Sequence, residues 1–173
     1  MKSGKSAGNR RRSRTVRRLP KLSIAVAASC HLILAARATV GMGADQPHFE
    51  PLLVDAQRRA NIKVIVADAG YDSEANHCIA QKDMGIRSII PPDTGRPTDK
   101  PPPTQYRREM RKRFDCEADK DTYGQRWQVE TVNSMIKRNL GSALRAKSAG
   151  RRSMELLLRC VTHNIMVLEG NEP

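Results

Sequence analysis

Acidic residues are scarce in this chain. Its 173 residues hold 18 Asp and Glu against 31 Lys and Arg, for a net charge of +13 and a pI near 10.2. That imbalance argues against a small enzyme for neutral metabolites and favours a polyanionic partner, either nucleic acid or an anionic membrane surface. The shortage is complete at the N-terminus, where no Asp or Glu precedes Asp45. Over the same stretch Lys2, Lys5, Arg10, Arg11, Arg12, Arg14, Arg17, Arg18 and Lys21 accumulate. A Ser/Gly/Arg-rich segment with so little apolar content cannot bury a core, so residues 1–20 read as a basic arm disordered without a polyanion. Residues 21–173 are long enough for a single domain.

Paired cysteines are also missing. Cys30, Cys78, Cys116 and Cys160 are widely spaced with no CxxC, which argues against a zinc site and gives no disulfide framework. His31 beside Cys30 and His77 beside Cys78 are adjacent pairs, poorly placed to chelate one ion, and read as packing residues. A reducing, cytoplasmic setting follows. The longest apolar run, Leu22 to Ala36, is too short for a membrane span. With the basic N-terminus and Ala36-Arg37-Ala38 it imitates a secretory signal, but the basic region is too long and Ser29 and His31 interrupt the run. No internal repeat is visible.

The positive charge that is present falls into three patches. The N-terminal arm is one; Arg107, Arg108, Arg111, Lys112 and Arg113 are the second; Lys137, Arg138, Arg145, Lys147, Arg151 and Arg152 are the third. Three separate patches suit an extended phosphate backbone better than one small anion.

Read in order, Lys21–Ala28 and His31–Val40 carry β-branched residues on both sides of Ser29-Cys30 and predict two strands of a hairpin. Gly41, Gly43 and Pro47 break the chain, and Phe49, Leu52, Leu53 and Ala56 then recur at helical spacing, with Pro51 tolerable in a first turn. Ile62–Ala67 reads as a strand buried on both faces. It ends at Asp68, where Gly70 permits a sharp turn, a common way to present a metal ligand. Asp72 reads instead as a turn residue capping a helix that runs from about Ser73 to Met84. Arg87–Ile90 reads as a strand, residues 93–104 as a proline-rich crossing and Tyr106–Phe114 as a basic helix. Ser153 is placed to cap a last helix striped by Met154, Leu157, Leu158, Val161, Ile165 and Leu168.

The most informative stretch is Tyr123–Lys137. At about 100° per residue, Tyr123, Arg126, Glu130 and Lys137 fall within roughly a 60° arc of one helix face. Val129, Val132, Ile136 and Leu140 form an apolar stripe on another face. The cations place positive charge where phosphate would lie. The sole tryptophan, Trp127, reads as core packing ahead of base stacking.

Here the chain resembles the DDE transposases of bacterial insertion sequences, which share the fold of RNase H and retroviral integrases. The third-acid segment of one large group has the pattern Tyr-(2)-Arg-(3)-Glu-(6)-Lys, and Tyr123, Arg126, Glu130 and Lys137 match every spacing. Asp68-Ala69-Gly70-Tyr71 matches the second-acid segment, Asp-x-Gly-Tyr. The resemblance spans roughly Lys21 to Leu168 and implies an α/β, RNase H-like mixed sheet with flanking helices. It also implies Asp68 and Glu130 as catalytic carboxylates holding Mg²⁺, with Tyr123, Arg126 and Lys137 positioning DNA. The implied activity is cleavage and transfer of double-stranded DNA at insertion-sequence ends, with a homo-oligomer on the DNA compatible.

One part of the pattern is missing. The family's first catalytic aspartate lies on a strand upstream of the predicted hairpin, where this chain has no acid. Asp45 better matches a non-catalytic turn position. The expected fold is therefore an incomplete RNase H-like sheet without its first catalytic strand, and the expected chain is a transposase portion inactive alone. Two other readings stand beside it, a non-catalytic DNA-binding remnant and a basic RNA-binding protein.

Overall fold

The computed structural model describes residues 20–40, 43–93, 95, 100–117 and 119–170. The basic arm, apart from Pro20, and positions 94 and 96–99 of the proline-rich crossing lie outside these residues.

Strands β1 (Pro20–Val26) and β2 (Ile33–Val40) form the expected antiparallel hairpin, in register from Pro20 opposite Val40 to Ala25 opposite Ala35, with a shift before Val26 opposite Ile33. The run that imitates a secretory signal is thus strand, turn and strand. Its β-branched residues decide this, because their stiff χ1 suits a pleated surface better than a helix. His31 takes a positive φ of 60° in the connecting turn, a left-handed conformation that other groups must hold. They do: His163 donates from Nε2 to the His31 carbonyl (3.0 Å), and the His31 ring meets Gln128. Among the described residues no helix is long and apolar enough to cross a membrane.

Helix α1 (Phe49–Gln57) buries Phe49, Leu52, Leu53 and Ala56 at the predicted spacing, with Pro51 in its first turn. Leu52 and Ala56 pack on the hairpin at Ala35, while Phe49 and Leu53 join Ala80, Ile86 and Ile90 in a second cluster. Strand β3 (Val64–Val66) pairs in parallel with β4 (Arg87–Ile89).

Two expectations about the sheet need correction. The described strands form two separate two-stranded sheets, β1–β2 and β3–β4, and no single mixed sheet. Val64, expected to be buried, is exposed, while Ile65 and Val66 are half-buried. The two departures have one cause. The outer edges of β1 and β3 have no strand partner among the described residues and border a common groove of about 610 Å³. Residues that a neighbouring strand would cover face this groove instead.

After β3 the chain makes a 3₁₀ turn (Ala69–Tyr71) and enters helix α2 (Glu74–Cys78), which continues as a π-helical turn over Ile79–Asp83. Gly85 ends it at φ +65°. Ser73 supplies the N-cap, accepting from the Asn76 amide (3.1 Å). The expectation that Asp72 caps this helix is therefore incorrect. Asp72 is buried and turns the other way, toward helix α3 (Gln105–Asp115).

The expected single helix from Tyr123 is broken in two. Helix α4 (Lys120–Gly124) ends in a tight turn at Gln125 and Arg126, and helix α5 (Trp127–Leu140) follows at once. The i→i+3 bonds from Arg126 N to Tyr123 O (2.9 Å) and from Gln128 N to Gln125 O (3.1 Å) mark the tightening. Val132 and Ile136 are buried against Leu22, Ile24 and Ile33, as the apolar stripe predicts.

Helix α6 (Ala149–Glu169) starts a turn earlier than expected, capped by Ser148 and not by Ser153. Its buried face is Cys160 and His163, and the Asn164 amide bonds both Ile33 N (2.8 Å) and Ile33 O (2.9 Å). Because those side chains claim the face toward β2, the predicted apolar stripe, apart from half-buried Leu157, points away from the protein.

Candidate active site

Asp68 stands two residues beyond β3, at the start of the 3₁₀ turn, and Glu130 lies in the first turn of α5, so 62 positions separate them in sequence (130 − 68). Arg126 brings them together. Its Nη1 is 2.9 Å from Asp68 Oδ1, and its Nη2 is 2.9 Å from Glu130 Oε1. Both carboxylates remain open to solvent, with side chains 62% and 63% exposed. Partial burial works against the Arg126 charge, but Asp68, Tyr123 and Glu130 outweigh it and hold its pKa above the ordinary arginine value.

Tyr123 stands beside this bridge. Burial pushes its phenol pKa up against the pull of Arg126, and the Asp68 and Glu130 charges add to the rise. It stays a neutral donor at ordinary pH. Its ring packs edge-on against Phe114 with centroids 5.3 Å apart, and its backbone N–H bonds Asp119 O at 2.7 Å. Asp119 is itself buried and held by Arg87 of β4 and Arg113 of α3. The start of α4 is thereby pinned to the β3–β4 sheet.

Lys137 is exposed two turns further along α5, about 10 Å from Glu130 by helical rise. It makes no contact with the acid pair and extends the cationic side of α5 beside Arg138. Trp127 contradicts the core expectation. It is 53% exposed and lines a shallow surface pocket with Glu130, Ser134 and Arg138. The break at Gln125–Arg126 explains this, because Trp127 opens a new helix at a corner and has no opposing layer.

Sequence reasoning missed the network under the Asp68 turn. The Asp72 carboxylate accepts from Arg107 Nε (2.8 Å) and the Asp93 amide (2.8 Å), and lies 3.3 Å from His77 Nε2. The other His77 nitrogen meets Ser88 Oγ at 2.7 Å. Ser88, His77 and Asp72 are all buried, so the row holds no nucleophile reachable from solvent. It fixes the loop. Burial alone would raise the Asp72 pKa, but His77, Arg107 and the Asp93 N–H together hold it below the usual carboxylate range. Glu74 adds a second tie by accepting from the Tyr106 and Arg107 amides at the start of α3. The signal in sequence was the arginine-rich α3 itself, read as a polyanion patch. In the structure Arg107 and Arg113 serve buried acids, while Arg108 and Lys112 are exposed.

Asp45 pairs with Lys21 and approaches the same turn from the other side. A Cβ built on Gly70 would stand 3.3 Å from Asp45 Oδ2, so glycine lets the turn pass this carboxylate closely. Among the described residues no group of three or more His, Cys, Asp or Glu is arranged to hold a metal ion.

The family model for the transposase DDE domain matches residues 2–165. The chain therefore belongs to the transposase DDE domain family. No curated protein and no solved structure matches it.

Proposed function

We propose that this chain acts in metal-dependent DNA strand cleavage and transfer at the ends of an insertion sequence, with Asp68 and Glu130 as the acid pair. The observation that carries the reading is the Arg126 bridge, which draws both carboxylates to one exposed point. A chance motif match gives no reason for two such distant acids to share one cation.

The donor set fits one hydrated Mg²⁺, which is often held by one or two carboxylates plus substrate phosphate. Asp68 and Glu130 would hold this ion, which would supply Lewis-acid stabilisation of the charge that develops on the phosphoryl oxygens. Arg126, released from part of its bridge, offers its planar guanidinium to a phosphate. Tyr123 donates a hydrogen bond from its neutral phenol, and Lys137 and Arg138 continue the contact along the DNA backbone. Two ions would need a further acid. A strand ending in a carboxylate and seated in the groove between β1 and β3 would supply one, completing an RNase H-like mixed sheet. In this reading residues 21–173 are one partial catalytic domain and residues 1–20 a DNA-binding arm. The chain by itself binds DNA without cutting it.

The second reading, a DNA-binding remnant without chemistry, is favoured by the same count of two acids. Nicking of supercoiled plasmid in Mg²⁺ separates them. We expect none from the purified chain. Adding an apolar strand that ends in aspartate, fused or in trans, should give nicking that Asp68→Asn abolishes. Continued inactivity with that strand bound favours the remnant. Robust nicking by the chain alone contradicts the count of acids.

A further inference from the structure

We infer that α6 is a self-association surface through which two copies of this chain pair as an antiparallel two-helix seam. Met154, Leu158, Val161, Ile165 and Leu168 are 58, 58, 57, 50 and 58% exposed. They follow one another at steps of four, three, four and three residues. That is the 3.5-residue repeat of a helix seam, sustained from Met154 to Leu168 within the helix Ala149–Glu169. A helix exposed by accident would scatter its apolar residues; here they lie in one row about 21 Å long. Single exposed leucines are common, whereas a contiguous row of large apolar side chains marks a contact surface.

The opposite side of α6 is already fixed. Cys160 packs with Ile33, Val132 and Ile136, and Asn164 clamps Ile33, so the outward row cannot turn inward without breaking these contacts. A helical repeat calls for a helical occupant. Residues 1–19 do not supply one, since Met1, Ala7, Val16 and Leu19 are their only apolar side chains and do not fall in one row. A second copy does, because its α6 carries the same row.

Charge chooses the direction. Exposed Arg151 lies near the start of α6 and exposed Glu169 at its end. Antiparallel pairing sets Arg151 of each copy near Glu169 of the other. It also stacks Leu158 on Val161 and Met154 on Ile165 in both halves of the seam. Parallel pairing would place Arg151 on Arg151 and Glu169 on Glu169, which repels at both ends. A two-fold antiparallel contact is closed, so it gives a dimer and not a fibre.

Sedimentation velocity across a micromolar concentration series tests this on the whole chain without DNA. A monomer–dimer equilibrium is expected. Leu158→Glu/Ile165→Glu should raise the dissociation constant at least about tenfold, with an unchanged circular dichroism spectrum because both positions face outward. Arg151→Glu should weaken the dimer, and adding Glu169→Arg should restore it. A chain monomeric throughout the series overturns the inference, as does a dimer indifferent to Leu158→Glu/Ile165→Glu. If the double charge swap fails to restore pairing, the antiparallel arrangement is wrong.

Discussion

Replacing Asp72 with alanine should be among the most damaging single changes in this protein. The carboxylate is 3% exposed and is the meeting point of Arg107, His77 and the Asp93 amide. Its loss leaves a guanidinium and a buried imidazole without their partner. Removing one member of a buried pair costs about 3–5 kcal/mol, against a total stability of about 5–15 kcal/mol for a domain. For a chain of this size that corresponds to a fall in thermal midpoint of about 6–20 °C. The direction with pH follows from the depressed carboxyl pKa in the folded state. A group whose folded pKa lies below its unfolded value, near 3.9 for aspartate, contributes fully above that value. Its contribution is lost as pH falls through the folded pKa. Urea unfolding of wild type and Asp72→Ala should therefore show the full gap at pH 7, narrowing below about pH 4. A gap under about 1 kcal/mol at pH 7, or one that does not change in acid, refutes the assignment of Asp72 as the anchor of α3.

Other consequences are simpler to test. Asn164→Ala leaves the Ile33 N–H and C=O without their partner and should cost about 1–3 kcal/mol in urea unfolding; Asn164→Asp should recover only the bond to the N–H. Trp127→Ala should cost less than about 1 kcal/mol, far below the 3–5 kcal/mol of a buried aromatic, and Trp127 should fluoresce at the long wavelengths of a solvated indole. DNA affinity should fall steeply with salt, at about −0.9 in log K per neutralised phosphate, and deleting residues 1–18 should weaken binding to all duplexes alike; a flat salt response contradicts this.

Local elements were legible in the sequence because their signals are local. β-Branched runs marked the hairpin, spacing marked the buried face of α1, and Val132 and Ile136 marked the inner face of α5. The Arg126–Glu130 ion pair was legible too, through the motif spacing that puts Arg126 one turn from Glu130. What failed depended on layers that one segment cannot reveal. Val64 looked buried because IKVIVA is apolar, but burial needs a neighbouring strand, and among the described residues none pairs there. The sequence marked an apolar stripe on α6, yet the face toward the hairpin is taken by Cys160 through packing and by His163 and Asn164 through hydrogen bonds that no periodicity reports. Asp72 looked like a cap because Ser73 beside it is one. Only the fold brings Arg107, 35 positions away (107 − 72), to its carboxylate.

The most direct test of the acid pair is a Mg²⁺ titration followed by thermal unfolding of wild type, Asp68→Asn and Glu130→Gln. Both side chains are exposed, and glutamine keeps helix propensity, so neither substitution should unfold the protein. At a tenfold excess over its dissociation constant the ion adds about 1.4 kcal/mol, or about 3–6 °C in thermal midpoint. The wild type should show that saturable rise and both variants should lose it. An equal rise in all three proteins would mean that Asp68 and Glu130 do not share a metal.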